Sequence, residues 1–177
     1  MIKEVENYLD ELFPNPKCEL EFNKDYELLI AVVLSAQTTD KRVNSVTPIL
    51  FDKYKNIEEL SNAEISDIAN IIKPIGTFNK KAVFVKEIAS VLHNEYSGKV
   101  PNNRASLENL PGVGRKTANV VLSVLFNEPA IAVDTHVSRV SKRLGIAKEK
   151  DDVLVIEKKL NKFFPKDKLN RLHHHFY

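Results

Sequence analysis

A chain of 177 residues can bury a core and form one domain or two small lobes. Hydrophobic residues make up 43% and charged residues 28%, the balance of a soluble globular protein rather than a disordered or membrane-embedded one. A net charge of +2 excludes a globally basic nucleic-acid binder, so any surface for a polyanion has to be local.

The opening Met1-Ile2-Lys3-Glu4-Val5-Glu6 has no signal-peptide core. Val5, Leu9, Leu12 and Phe13 share one face of a helix that Pro14 and Pro16 end. The one cysteine, Cys18, rules out an internal disulfide framework and a cysteine-built metal site, and it fits a reducing cytoplasm. Asp25 is placed to cap a buried helix from Tyr26 to Ala36. Its apolar run from Leu28 to Ala36 is far too short to span a bilayer. Asp40 is placed to cap the next helix, where Val43, Val46, Ile49 and Leu50 recur. Ser61 to Lys73 reads as one helix through Ile65, Ile68, Ala69 and Ile72. A long amphipathic helix runs from Asn79 to Tyr96 and ends at Ser97-Gly98. Asn103 to Leu110 forms a short helix, Thr117 to Phe126 an apolar one, and Asp134 begins another helical stretch. Asp152 to Phe164 is amphipathic and stopped by Pro165. No stretch alternates cleanly enough for a sheet, so the pattern predicts an all-α fold.

Leu110-Pro111-Gly112-Val113-Gly114-Arg115-Lys116-Thr117-Ala118-Asn119 sits between two of these helices. Its glycines permit a tight turn and close approach of another molecule to the backbone. Amides beside a helix N-terminus suit an anion such as phosphate. Lys116 adds an amine, and an N-terminal helix position is unfavourable for a cation, which suits a nucleophile. Pro-Gly-Val-Gly is also ordinary chemistry for a helix end and tight turn. Asp134 in Val133-Asp134-Thr135-His136 can supply a carboxylate, and Asp before Thr-His-Val is equally a good N-cap.

The hairpin resembles that of the helix-hairpin-helix DNA glycosylases, and within them the endonuclease III family. Three further blocks in the family's order carry the same resemblance: Leu28 to Asp40, Ile72 to Ala82, and Ile131 to Val140. The resemblance implies two helical lobes with an active-site cleft between them. Residues 21–130 would form the central lobe, with the hairpin near 104–126, and residues 1–20 plus 131–177 a second lobe that the resemblance implies is incomplete at its C-terminal end.

It also implies a bifunctional DNA glycosylase/AP lyase of base excision repair, acting on oxidised pyrimidines and abasic sites in double-stranded DNA. Lys116 falls on the family's Schiff-base lysine and Asp134 on its catalytic aspartate. Gln37 would fill the gap left by an extruded nucleotide. The position aligned with the family's apolar wedge is Thr77, so either Phe78 takes over or the wedge is weaker. Leu110, Gly112, Val113, Gly114 and Arg115 would hold the phosphate backbone, while His136 and Arg139 neighbour the site. Lys80 and Lys81 are further candidate phosphate contacts, although lysine-rich faces are often only solvated.

Most members of the family carry four cysteines for a [4Fe–4S] cluster, and those ligands are absent from this sequence, so no cofactor is expected in this chain. His173-His174-His175 point different ways on a helix and make a poor metal site, so no metal is assigned. The expected partner is damaged or abasic duplex DNA and no membrane. A monomer is expected, in the cytoplasm and associated with the nucleoid. The competing readings are a mismatch-specific glycosylase of the same superfamily and a non-catalytic DNA-binding fragment.

Overall fold

The computed structural model describes residues 18–166 together with Glu4, Asn7, Glu11, Lys168 and Leu169. The apolar face expected of the opening helix (Val5, Leu9, Leu12, Phe13) and the three histidines at 173–175 lie outside them. Among the described residues every regular element is helical: α1 Asp25–Leu34, α2 Asp40–Lys53, α3 Ile57–Ser61, α4 Ile65–Ile72, a 3-10 turn Lys73–Ile75, α5 Phe78–Tyr96, α6 Arg104–Glu108, α7 Arg115–Phe126, α8 Thr135–Arg143 and α9 Val153–Phe163. None is long and apolar enough to cross a membrane.

The chain divides into two units, residues 19–121 and residues 1–18 with 122–177, so the division falls inside α7. In the first unit α1 is buried from Tyr26 to Leu34 on every side, as expected for a helix without a polar stripe. The helices α2 and α5 pack against it, and α5 also carries α3 and α4. Leu28, Leu34, Leu50, Ile68, Ile88 and Leu92 are fully enclosed there. Each such side chain contributes about 1.5–3 kcal/mol of hydrophobic stabilisation. In the second unit Val137 of α8 and Ile156 and Leu160 of α9 share a core with Ile131, Val133 and Phe164.

Three local expectations are corrected. Asp25 is the first helical residue rather than the cap: Lys24 holds the cap position, and the buried Glu27 carboxylate accepts from the amides of Asn23 (2.7 Å) and Lys24 (3.2 Å). Asp40 likewise opens α2, and the cap is Thr39, whose hydroxyl accepts from Arg42 N at 3.3 Å. The single helix expected from Ser61 to Lys73 is broken. Asn56 caps a short α3 by accepting from Glu59 N at 2.8 Å, Asn62 ends it, and α4 starts afresh at Ile65. Apolar spacing alone does not register such a break, because both pieces bury residues on α5.

Candidate functional site

The first unit holds the hairpin. Asn103 caps α6 by accepting from Ser106 N at 2.8 Å, and Leu107 and Leu110 anchor its apolar side in the core. Val113 N donates to Leu110 O at 3.1 Å, closing the turn, and Ala118 N donates to Gly114 O at 2.9 Å, opening α7. The helix therefore begins at Arg115, ahead of the expected Thr117, and Lys116 lies exposed in its first turn.

The hairpin's candidate residues divide by side. Leu110 and Val113 are buried, and their amides donate to Leu107 O (3.0 Å) and Leu110 O (3.1 Å), so both residues serve the core and the turn. Gly112 and Gly114 are exposed. Gly112 is left-handed at φ 72°, and a Cβ there would sit 2.6 Å from Phe84 Cδ2. Gly114 is not left-handed, and a Cβ would meet nothing within 4 Å. The Phe84 ring also carries Lys80 Nζ at 5.5 Å from its centroid, so α5 brings an exposed cation to the hairpin's edge. Arg104 of α6 donates through Nε (3.0 Å) and a terminal nitrogen (2.8 Å) to Oδ1 of Asn119, which is buried one turn beyond Lys116. That clamp holds the two helices of the hairpin in register.

Two loops of this unit have strained backbones. Gln37 (φ 59°), Thr77 (φ 44°), Ser97 and Asn127 are the non-glycine residues at positive φ among those described. Ser97 and Asn127 directly follow long helices, where a left-handed residue is ordinary. Gln37 and Thr77 are the two positions that the resemblance assigns to invasion of the DNA stack, and both are exposed. Phe78 is half-buried at the start of α5. Strain of this kind persists where surrounding structure over-determines it, and it clusters at functional sites.

Asp40, expected as a helix cap, also belongs here. Asp40 is close enough to Lys116 for the two charges to interact. Burial raises its pKa above the usual aspartate range, Glu19 adds to the rise, and Lys116 opposes it. The only signal in the sequence was its place at the end of the Gln37-Thr38-Thr39-Asp40 run. The lysines of α5 also separate: Lys80 is exposed, but Lys81 is buried and is no surface phosphate contact.

The second unit holds Asp134, His136 and Arg139. Asp134 is half-buried and caps α8, its Oδ1 accepting from His136 N (2.9 Å) and Val137 N (2.8 Å). Arg139 lies one turn on, 3.3 Å from His136 Nδ1. With Thr135, Ser138, Lys142 and Arg143 it lines a basic surface hollow of about 300 Å³ that Glu149 closes. A [4Fe–4S] cluster does not fit the donors present. Cys18 is the sole cysteine, and no three His, Cys, Asp or Glu gather as a metal site among the described residues.

Two short helices joined through a glycine turn, with an exposed lysine at the start of the second, define a helix-hairpin-helix protein. The profile of the family described as HhH-GPD superfamily base excision DNA repair protein matches residues 30–166. Endonuclease III of Bacillus subtilis (strain 168) is 48% identical over 176 residues, covering 98% of this chain and 80% of its own. A trapped endonuclease III–DNA covalent intermediate superposes with a TM-score of 0.93 at 45% identity, over 99% of this chain and 84% of that one. A thermostable thymine-DNA glycosylase superposes at 0.82 and 27%, over 99% and 83%. This chain belongs to the HhH-GPD superfamily of base excision DNA repair proteins and, within it, to the endonuclease III family.

Proposed function

We propose that this protein is a bifunctional DNA glycosylase/AP lyase that excises oxidised pyrimidines from duplex DNA and cuts 3′ to abasic sites. The observation that carries this reading is Lys116, an exposed amine in the first turn of the helix that the glycine hairpin opens. The hairpin grips backbone phosphate through amides at Gly112, Gly114 and Arg115, which positions DNA without reading sequence. The damaged nucleotide leaves the stack. Gln37 fills the space, and the loop at Thr77 and Phe78 wedges the duplex open.

The Lys116 amine then attacks the sugar C1′. The nitrogen–C1′ bond forms, the N-glycosidic bond breaks, and the base departs with its electron pair and a proton. Ring opening gives a Schiff base that makes the C2′ proton acidic. Loss of that proton expels the 3′ phosphate by β-elimination, and water releases the lysine. Asp134 stabilises the positive charge developing at the sugar and accepts a proton in activating the amine.

The higher identity to endonuclease III than to the thymine-DNA glycosylase favours the lyase reading over mismatch repair. We place the protein in the cytoplasm as a monomer working at the nucleoid. Borohydride trapping on an abasic duplex tests the reading. A covalent adduct is expected from the wild type, none from a folded Lys116→Ala, and little from Asp134→Asn. A folded wild type that yields no adduct would leave only a DNA-binding module.

A further inference from the structure

The most anomalous charged group outside the proposed chemistry is Lys81. It is 5% exposed, although it carries an ammonium. Burial draws its pKa below the usual lysine range. Burying an ammonium costs free energy unless polar partners hold it.

Its contacts include such a partner. The 3-10 turn Lys73–Ile75 ends in two left-handed residues, Gly76 at φ 68° and Thr77 at φ 44°. Thr77 sits at the cap position of α5 without making a side-chain cap bond. Lys81 holds this bend at both ends. Its backbone amide donates to Thr77 O at 3.1 Å, and its Nζ donates to Ile75 O at 3.4 Å, beneath the surface. A cation at the carbonyl end of a helical turn is electrostatically favourable. The bend it closes carries the exposed Thr77 and leads into the half-buried Phe78.

We propose that Lys81 is a positioning residue for strand invasion, its buried ammonium fixing the Gly76–Thr77 bend in the shape that enters the DNA stack. This rests on the repair activity proposed above. The experiment compares wild type with Lys81→Met on the same abasic site, once in a duplex carrying a neighbouring 2-aminopurine and once in a single strand. A single strand has no stack to invade.

The Met variant is expected to melt no lower than wild type, since it loses a buried charge. Its 2-aminopurine response and its borohydride trapping on duplex should fall about tenfold, the loss of one charge-assisted hydrogen bond. Trapping on the single strand should not change. Lys81→Gln, which keeps a donor, is expected to recover part of the duplex rate, and it is read on the same two substrates if Lys81→Met does not fold. Equal loss on both substrates, or no loss on duplex, overturns the role of Lys81 alone. A wild type that traps neither substrate overturns the activity on which it rests.

Discussion

Asp134 combines a structural task with a proposed chemical one, and the two can be separated. Its carboxylate accepts two amides at the start of α8, which serine can also do. Asp134→Ser is therefore expected to keep stability within about 0.5 kcal/mol while losing Schiff-base trapping. Asp134→Ala should lose trapping and also about 1 kcal/mol of stability, read by urea denaturation. Asp40 gives a different signature. Its pKa is raised in the fold, so the fold favours its protonated form. That contribution is present in acid and is lost as pH rises through the raised pKa. Asp40→Asn should consequently raise Tm at neutral pH, with the difference closing towards pH 4 and below. No rise at neutral pH would mean that Lys116 and solvent already compensate the burial. The electrostatic influence of Lys116 on Asp40 was not legible in the sequence, because it joins residues from distant segments and neither one's local pattern requires it. The placement of Lys116 and Asp134 at helix starts was legible, because the local sequence of each announces the turn.

The hairpin shows why two glycines in one motif are not equivalent. Gly112 needs both its left-handed backbone and the missing Cβ, since Phe84 occupies the space. Gly112→Ala is expected to cost about 1–3 kcal/mol and to weaken DNA binding with it. Gly114 has an ordinary backbone and open space around its Cα. Gly114→Ala should leave Tm nearly unchanged and yet weaken binding to an abasic-analogue duplex, because the new methyl stands where a phosphate approaches. Equal affinity for Gly114→Ala and wild type in a fluorescence-anisotropy titration would remove the hairpin from the proposed phosphate grip. Helix existence was readable from spacing and, at α8, from the Asp134 cap, whereas Asn103 and Asp152, expected inside their helices, are the caps that precede them. Helix boundaries were less so. The break between α3 and α4 leaves the apolar rhythm intact, and α7 starts ahead of its apolar stretch because Arg115 and Lys116 are polar. The burial of Lys81 beside an exposed Lys80 was not readable either, since adjacent lysines look alike until the bend that one of them closes is known.

At the scale of the whole molecule, a net charge of +2 is small for a protein that must hold a polyanion. Attraction therefore depends on where cations sit, and the proposed grip adds neutral amides to them. The two kinds of contact respond differently to salt. A lysine or arginine that neutralises a phosphate releases counterions, and each adds about 0.9 to the slope of log affinity against log salt. If about three side chains such as Lys80, Arg115 and Arg139 act this way, affinity should fall about 40-fold between 50 and 200 mM salt. Lys80→Ala or Arg139→Ala should each reduce the slope by about one. Gly114→Ala should lower affinity at every salt concentration and leave the slope alone, since an amide carries no net charge to exchange. A much steeper slope in the wild type would mean that charge dominates binding, and the proposed division between amide grip and local cations would fail.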